Sequence, residues 1–402
     1  MWQRVTRYCA ASVLCLLPWG SALAQLQGSF SMEKQQYGVG EPVFLAFELT
    51  NIGKESVQFF RGDRYSMCGG YEIAVSSGPP LIHSSCDRGF AFSCVGAAQT
   101  LAPGETRHER VLVNFEHDLS KAATYEVHAT WVVKYGPVTE GFSFPVGGQE
   151  FKAETNFQIQ VIDGNAENVA PAFQPYIADL SAKDEERRRE AARVIGSLAP
   201  PFLEDTIISM ADSPATLPFA LMGLRRLNTS RSRETLAGII QSTSGYSYWK
   251  EMAIKYLSEM GDKKYFPLLL DVAKNQQPNQ ARDYVLAAAE LGGEGGFPYV
   301  VSLLGSADPF SRANAIMALP RTGSRRAVPL LIEQLRNPDP DMGRLASTGL
   351  MELTHRTAAQ DGRLVSDAPP SDYFKWMRWW LQNGSSTSIY GPNQCGEVEP
   401  LQ

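Results

Sequence analysis

The sequence predicts a chain of two parts, an antiparallel β-sandwich followed by an α-solenoid. Two observations predict this architecture. Apolar and polar residues alternate in short segments between about residues 25 and 163. Farther along, segments that begin at Gly261, Gly292 and Gly323 repeat one pattern every 31 residues. Alternation is typical of strands that bury one face, and a fixed period of this kind is typical of stacked helix hairpins.

Residues 1–24 are set apart from the fold. Arg4 and Arg7 precede an apolar run that ends in "SALA", the small-x-small pattern that a signal peptidase accepts. This pattern predicts a secretory signal peptide that is cleaved after Ala24, and therefore an exported protein. The alternative is an uncleaved membrane anchor. The run is short for a span and is interrupted by Pro18 and Gly20, which disfavours that alternative.

The charge balance narrows the class of partner. The chain has 402 residues, with 37 Lys and Arg against 43 Asp and Glu. Removal of Arg4 and Arg7 with the signal leaves 35 basic residues and a net charge of −8. Such an acidic chain is poorly suited to nucleic acid or to anionic membrane surfaces. After the signal, no segment is apolar enough to predict a membrane span.

The first half, residues 25–163, is predicted to be the sandwich. In "PVFLAFELTN" the apolar residues Val43, Leu45, Phe47 and Leu49 fall on one face of a strand. Breaks rich in Gly, Pro and Asn, such as "NIGKES" and "LAPGE", separate this segment from similar ones. Short alternating strands between such breaks are typical of an antiparallel sandwich.

Two stretches of this half carry a family resemblance. "VGEPVFLAFELTNIGKESVQF" and "LAPGETRHERVLVNFEHDLSKAATYEVHATW" resemble the two halves of bacterial immunoglobulin-like extracellular domains. The resemblance implies an immunoglobulin-like β-sandwich in which Tyr125 is a tyrosine-corner residue, with its hydroxyl bonded to nearby backbone. Ala123 departs from that pattern, because the family usually has Gly there. Bacterial proteinase-inhibitor domains have a similar pattern, but no segment identifies an inhibitory loop.

Four cysteines remain after the signal: Cys68, Cys86, Cys94 and Cys395. An even number in an exported chain predicts disulfides. We expect Cys68 to pair with Cys86 or Cys94, which leaves open whether the remaining one reaches Cys395. The alternative is two free thiols. Three of the four lie in a long segment between Arg61 and Gln99, which is either a binding loop or a loop stapled for stability.

Histidines are concentrated in this first half, at His83, His108, His117 and His128. A zinc site needs three or four converging ligands. Because no pair has the spacing of a metalloprotease motif, we predict surface or edge-strand histidines. The sequence therefore predicts no metal site and no cofactor.

The repeat units of the second half each contain two predicted helices. The first helix begins at a proline, where a missing N–H costs nothing. The second helix carries a small residue at a fixed position, which lets neighbouring helices approach closely. The prolines are Pro267, Pro298 and Pro329, and the small residues are Ala287, Ala318 and Gly349.

The segment "PLLIEQLRNPDPDMGRLAS" resembles the compact bacterial HEAT-like repeats that are sometimes named after phycobilin-lyase subunits. With weaker copies upstream, it implies a HEAT-like α-solenoid over residues 175–356, with five or six helix pairs. A linker is predicted at residues 164–174, where "GNAENVAPAF" is polar and flanked by the two patterns.

The final helix is predicted to cover the open end of the stack. Phe374, Trp376, Trp379 and Trp380 fall mostly on one helix face within the segment 357–385. This segment is similar to the ending of many secreted bacterial HEAT-repeat proteins. An aromatic cap is favoured over a carbohydrate-stacking surface, because the last seam of a solenoid must be covered. Residues 386–402 are predicted to be a mobile tail, apart from Cys395.

No sequence motif of catalysis is present. G-x-S-x-G, H-E-x-x-H, C-x-x-C and the Walker sequence are all missing. We therefore predict a non-enzymatic, exported scaffold, periplasmic or extracellular, that binds another protein. Two alternatives stay open: a subunit associated with an enzyme, since HEAT-like repeats occur in chromophore lyases, and a protease-regulating envelope module.

Overall fold

A computed structural model describes residues 26–61, 71–76, 97–115, 117, 119–138, 148–242, 247–354, 373–392 and 398–400. Nine strands lie before residue 163 and the helices follow, in the predicted order, with a short strand pair near the end of the chain. The strands of the first part are β1 Leu26–Met32, β2 Gln36–Gly38, β3 Phe44–Asn51, β4 Val57–Arg61, β5 Tyr71–Val75, β6 Ala97–Leu101, β7 Thr106–Leu112, β8 Ala123–Pro137 and β9 Gln149–Ile162.

These strands form two sheets. One contains β1, β3 and β7 in that order, and the other contains β2, β9, β8, β4 and β6, with β5 also paired to β8. All of these pairings are antiparallel except the short one between β2 and β9, which is parallel. The predicted antiparallel β region is therefore present, with one parallel pair at its edge.

The two sheets pack against each other around aromatic side chains. The Phe47 ring lies 4.8 Å from the Trp131 ring in an edge-on contact, and Phe59 lies 6.1 Å from the same indole. Val43, Leu45, Phe47 and Leu49 are all buried, as the alternation predicts. Burial of this one face supplies most of the driving force for pairing the sheets.

The helices of the second part are α1 Ala166–Asp179, α2 Glu185–Leu198, α3 Glu204–Met210, α4 Leu217–Leu227, α5 Ser230–Gln241, α6 Ser247–Glu259, α7 Phe266–Asn275, α8 Arg282–Gly292, α9 Phe297–Leu304, α10 Pro309–Ala318, α11 Ala327–Gln334, α12 Pro340–Thr354 and α13 Tyr373–Asn383. Within the described residues, α1 to α12 make six pairs of adjacent packed helices. A short pair of strands follows, β10 Tyr390–Pro392 and β11 Val398–Pro400.

The segment predicted to be a linker, 164–174, is instead mostly helical. Helix α1 begins after Asn165, whose side chain accepts a hydrogen bond from the Asn168 backbone N–H. Val169 and Phe173, one helical turn apart, are buried. They share a core with Phe44 of β3. The polar composition of the segment and its Pro171 conceal this apolar pair in the sequence. The helical part therefore begins at Ala166, nine residues before the predicted start at residue 175.

Helix α1 joins the two parts through a cation and two aromatic rings. The Arg110 guanidinium lies 3.9 Å from the centre of the Phe44 ring, and its Nε donates to Glu33 Oε1 at 2.6 Å. Its Nη2 donates to the Tyr176 hydroxyl at 3.4 Å, and Tyr176 stacks on Phe44 with ring centres 6.2 Å apart. Burial raises the pKa of the Tyr176 hydroxyl. The sheet containing β3 and β7 is thereby packed directly against the first helix pair.

The second helices of successive pairs form one packed layer. Helices α2, α4, α6, α8, α10 and α12 each contact the next, whereas successive first helices contact each other sparsely. The second helices are therefore the more closely packed layer of the stack. Their predicted small residues, Ala287, Ala318 and Gly349, are all buried between neighbours.

Prolines and capping residues mark the starts of these helices. Pro267 and Pro298 occupy the second position of α7 and α9, and Pro329 the third position of α11, so none removes an intrahelical bond. At α10, the Asp308 side chain accepts from the Ser311 backbone N–H, and Arg312 donates back to the carbonyls of the preceding turn. Capping thus locks the turn between the two helices of a pair.

We expect Gly196→Ala to destabilise the protein by about 1–3 kcal/mol, because overpacking of a close helix contact forces a backbone shift. A Cβ at Gly196 of α2 would lie 2.1 Å from the Phe219 carbonyl oxygen of α4. Thermal and chemical denaturation would measure the change.

The matched control is Gly238→Ala in α5, where a Cβ meets no heavy atom within 4 Å. Because alanine has the higher helix propensity, that variant should gain about 0.5–1 kcal/mol. Equal effects of the two substitutions would contradict the close packing of α2 on α4.

Candidate functional site

The predicted disulfide residues, Cys68, Cys86, Cys94 and Cys395, lie outside the described residues. Tyr125 is described: its ring is buried and its hydroxyl donates to the Lys121 backbone carbonyl at 2.9 Å. The bond spans four residues at the start of β8. It fixes the entry of the chain into the longest strand of the second sheet.

The histidines are scattered. His108 Nδ1 lies 3.1 Å from Glu48 Oε1, and both side chains are exposed. His128 contacts Asn156 at 2.8 Å, and His117 is buried. Among the described residues, no three His, Cys, Asp or Glu side chains are grouped as a metal site requires, and His83 lies outside them.

The aromatic residues of α13 do lie against the end of the stack. Trp376 is buried, and its ring centre lies 5.6 Å from that of Trp379, which is 6.0 Å from that of Trp380. Helix α13 packs on α11, where the Tyr373 hydroxyl donates to Glu333 at 2.9 Å. These residues extend the solenoid core rather than form an open aromatic platform.

Two details differ from the prediction for this end. Phe374 is 75% exposed, because two residues of helix, about 200° of rotation, separate it from the buried Trp376. The predicted mobile tail also makes contacts: Ile389 is buried against the core. Arg325 helps to hold the chain near Ile389 in place, because its guanidinium donates hydrogen bonds to the backbone carbonyls of Gly384 and Thr387.

A row of charged residues on the second-helix layer is the strongest candidate for a functional surface. Glu259, Glu290, Arg321 and Glu352 are 31 residues apart and so occupy one position of the repeat. Glu259, Glu290 and Glu352 lie near the ends of α6, α8 and α12, and Arg321 lies in the turn after α10. We call these four residues the charged row. Sequence reasoning missed it, although the 31-residue period contained the signal.

One end of the row is neutralised within the chain. Arg225, at the end of α4, places its Nε 2.9 Å from Glu259 Oε2. Lys255 Nζ is 4.0 Å from the other Glu259 oxygen, and the Arg225 guanidinium lies 5.0 Å from the Tyr256 ring centre. Both partners of the Arg225–Glu259 pair are largely buried, so this end of the row is a structural ion pair.

The other end is not neutralised in this way. Glu290, Arg321 and Glu352 are half-buried, and none of their side chains makes a hydrogen bond or an ion pair within 4 Å to any residue that the structure describes. Burial raises the pKa of the carboxyl groups of Glu290 and Glu352, while the nearby Arg321 charge opposes that rise in both. Lys255 opposes it at Glu290 as well.

We call Glu290, Arg321 and Glu352 the open end of the charged row. Their side chains can bind charged groups of a ligand. The two recessed carboxylates can accept charge-assisted hydrogen bonds and the guanidinium can donate them, and such bonds are about twice as strong as neutral ones. The charges alternate in sign along the layer. A complementary ligand would therefore carry the opposite alternation.

Comparison with known proteins supports the repeat assignment. Residues 311–337 match the family described as PBS lyase HEAT-like repeat. These residues comprise most of α10 and all of α11, so the match lies within the helical repeat region. Among curated proteins, no match was found.

Two solved structures are similar over part of the chain. One is an engineered protein, with 17% identity, a TM-score of 0.28, and coverage of 44% of this chain and 94% of that one. The other is the complex of CpcE and CpcF of phycocyanin lyase from Nostoc sp. PCC7120, with 18% identity, a TM-score of 0.28, and coverage of 53% and 82%. Neither likeness is close enough to carry a functional argument. Over the described residues, no helix has the length and apolarity to cross a membrane.

We expect Trp376→Ala to destabilise the protein by about 3–5 kcal/mol, because it removes a buried indole from the terminal seam. Phe374→Ala, two residues away on the exposed side of α13, should change stability by less than about 0.5 kcal/mol. Denaturation curves of the two variants measure the difference. Equal losses would contradict the placement of α13.

The stability of the folded protein should depend on pH through Glu352, at the open end of the charged row. Burial raises the pKa of the Glu352 carboxyl above its ordinary value in the folded protein. Its ionised form therefore costs stability above the folded pKa, and that cost disappears as the pH falls towards the unfolded pKa. Glu352→Gln should raise the melting temperature at pH 8, with a gain that shrinks as the pH approaches 4.5.

The control for this titration is Glu294→Gln, in the exposed turn between α8 and α9. It should change the melting temperature little at any pH in that range, because exposed ion pairs contribute little. A gain for Glu352→Gln that is the same at every pH would contradict the burial of an ionised carboxylate.

Proposed function

We propose that this chain is an exported, non-catalytic scaffold that binds another protein along its layer of second helices. The observation that carries the proposal is the open end of the charged row, where Glu290, Arg321 and Glu352 are half-buried without an ion-pair partner among the described residues. Leaving buried charges unpaired costs stability. A partner that neutralises them recovers that cost on binding.

The architecture supports this function. A stack of six helix pairs offers a long surface on which each pair contributes a similar position. The β part is fixed against the first pair by Arg110, Phe44 and Tyr176, so the two parts are held together for a common partner. The two-sheet core and the Tyr125 hydrogen bond support an immunoglobulin-like class for the β part.

Export is the second element of the proposal. Its support is the signal-like pattern of residues 1–24, followed by an acidic mature chain. The expected location is the periplasm or the cell exterior. The three cysteines between Arg61 and Gln99 would then form at least one disulfide in an oxidising compartment.

A subunit role beside an enzyme is the rival function. The HEAT-like match at residues 311–337 favours it, because the matched family is named for a lyase. The two functions predict different partners. An enzyme-associated module would be recovered with an enzyme whose turnover depends on it, whereas a scaffold would be recovered with a protein whose activity does not.

We expect photo-crosslinking in the native cell to capture a partner from the second-helix layer. A photoreactive residue at Met317 or Thr348, each one turn before a member of the charged row, should yield a crosslinked protein. The same residue at Asp271 in α7 or Ser302 in α9, on exposed positions of first helices, should not.

Mass spectrometry of the purified chain completes the experiment by reading its first residue, which should be Gln25. Crosslinks of equal yield from both helix layers, or none from either, would refute binding along the second helices. An intact residue 1 in the mature chain would refute export by signal cleavage.

A further inference from the structure

Helix α13 is apolar on the side that faces away from the stack. Phe374 and Leu381 are 75% and 77% exposed, the highest values among the large apolar side chains that the structure describes. They lie seven residues apart, about 700° of helix rotation, so they project from the same side of α13, opposite the buried Trp376. The end of a helix stack ordinarily turns polar residues outward, which keeps the protein soluble. Apolar anchors at this spacing are instead typical of a helix that docks another helix.

The charges of α13 are all positive. Lys375 and Arg378 are its only charged residues, and both are exposed. Arg378 lies four residues after Phe374 and three before Leu381, which places it between them on the same side. Its side chain makes no hydrogen bond or ion pair within 4 Å to any residue in the described part of the chain. We call the side of α13 that carries Phe374, Arg378 and Leu381 its outer face.

Two further guanidinium groups extend the positive charge to both ends of α13. Arg336 lies 4.9 Å from the centre of the Tyr373 ring, and Arg325 lies 5.9 Å from the centre of the Trp380 ring. Glu333 also contacts this helix, but it accepts the hydrogen bond of the Tyr373 hydroxyl. The chain as a whole has 43 acidic and 37 basic residues, so α13 is opposite in sign to the rest of the protein.

This charge distribution selects an acidic partner. Complementary charges across an interface favour the right partner, and like charges placed together cost free energy. Two copies of the outer face would bring Arg378 and Lys375 of both chains onto one seam, with no carboxylate of α13 between them. A second copy of this chain is therefore a poor occupant, whereas a segment rich in carboxylates is a good one.

A helix fits the spacing of the two anchors. Phe374 and Leu381 are about 10.5 Å apart along the axis of α13. A partner helix returns an apolar side chain to the same seam every seven residues, at the same rise, and so packs along the whole face. A β-strand covers that distance in about three residues, and side chains three apart point to opposite sides of a strand.

We propose that the outer face of α13 docks an acidic amphipathic helix of another protein. Apolar residues of that helix pack on Phe374 and Leu381, and a carboxylate beside them accepts charge-assisted hydrogen bonds from Arg378. The inference goes beyond the proposed function, because it assigns a second binding surface that is separate from the second-helix layer. Either surface can be disproved without the other.

The test uses the full chain and a fluorescently labelled peptide of three heptads. The peptide has Leu at positions a and d and Glu at positions e and g, where the glutamates repel and disfavour pairing of the peptide with itself. Fluorescence anisotropy should show binding that weakens as the salt concentration rises. A peptide with Lys in place of every Glu should bind at least about tenfold more weakly, as should one with the same composition and scrambled Leu positions.

Variants of the outer face locate the binding. Phe374→Ala and Leu381→Ala should each weaken binding of the Glu peptide about tenfold, because each removes one apolar anchor. Arg378→Gln should weaken it about threefold and reduce its salt dependence. The controls are Phe310→Ala, an exposed ring on α10, and Arg282→Gln, an exposed cation on α8, and both should bind like the unaltered chain. Unchanged melting temperatures of the variants separate lost binding from lost folding.

Other occupants of the face give different results. Equal binding of the Glu and Lys peptides, no binding of the Glu peptide, or binding that Phe374→Ala and Leu381→Ala leave unchanged would overturn the inference. So would a dimer in light scattering that Phe374→Ala abolishes, since the occupant would then be a second copy. Binding to vesicles of phosphatidylglycerol and phosphatidylcholine that depends on the same residues would assign the face to a membrane instead.

Discussion

The structure depends on the inability of a two-helix unit to bury its own apolar face. Each hairpin between α1 and α12 leaves one side exposed, and only the next hairpin covers it. The result is one continuous core that runs from Phe44 in the β part to Trp376 and Ile389 near the end of the chain. Small residues such as Gly196, Gly223 and Gly349 allow the close helix contacts of that core.

A stack of this kind has two open ends, and the chain closes both with material that does not belong to the repeat. At the first end, the sheet containing β3 and β7 lies on α1, with Arg110 over the Phe44 ring. At the last end, α13 brings Trp376 onto the final seam, and Arg325 ties down the following turn. The β part thus contributes to the stability of the helical part as well as to its surface.

The charged row shows that one position of the repeat has different surroundings in different units. The position holds Glu259, Glu290, Arg321 and Glu352, and among the described residues an ion pair within 4 Å is formed at Glu259, with Arg225 of α4. Under the proposed function, a partner would neutralise the other three.

The sequence by itself determined the features that recur at a fixed interval. The 31-residue period predicts the helix pairs and their buried Ala287, Ala318 and Gly349, and the alternation in β3 predicts its inward face. Only the tertiary structure decided the features that occur once: the helix over the predicted linker, the exposure of Phe374 and the ordered turn near Ile389. Recurrent contacts leave a periodic trace because every unit must bury the same face. Single contacts between distant segments leave none, so they appear only when the chain has folded.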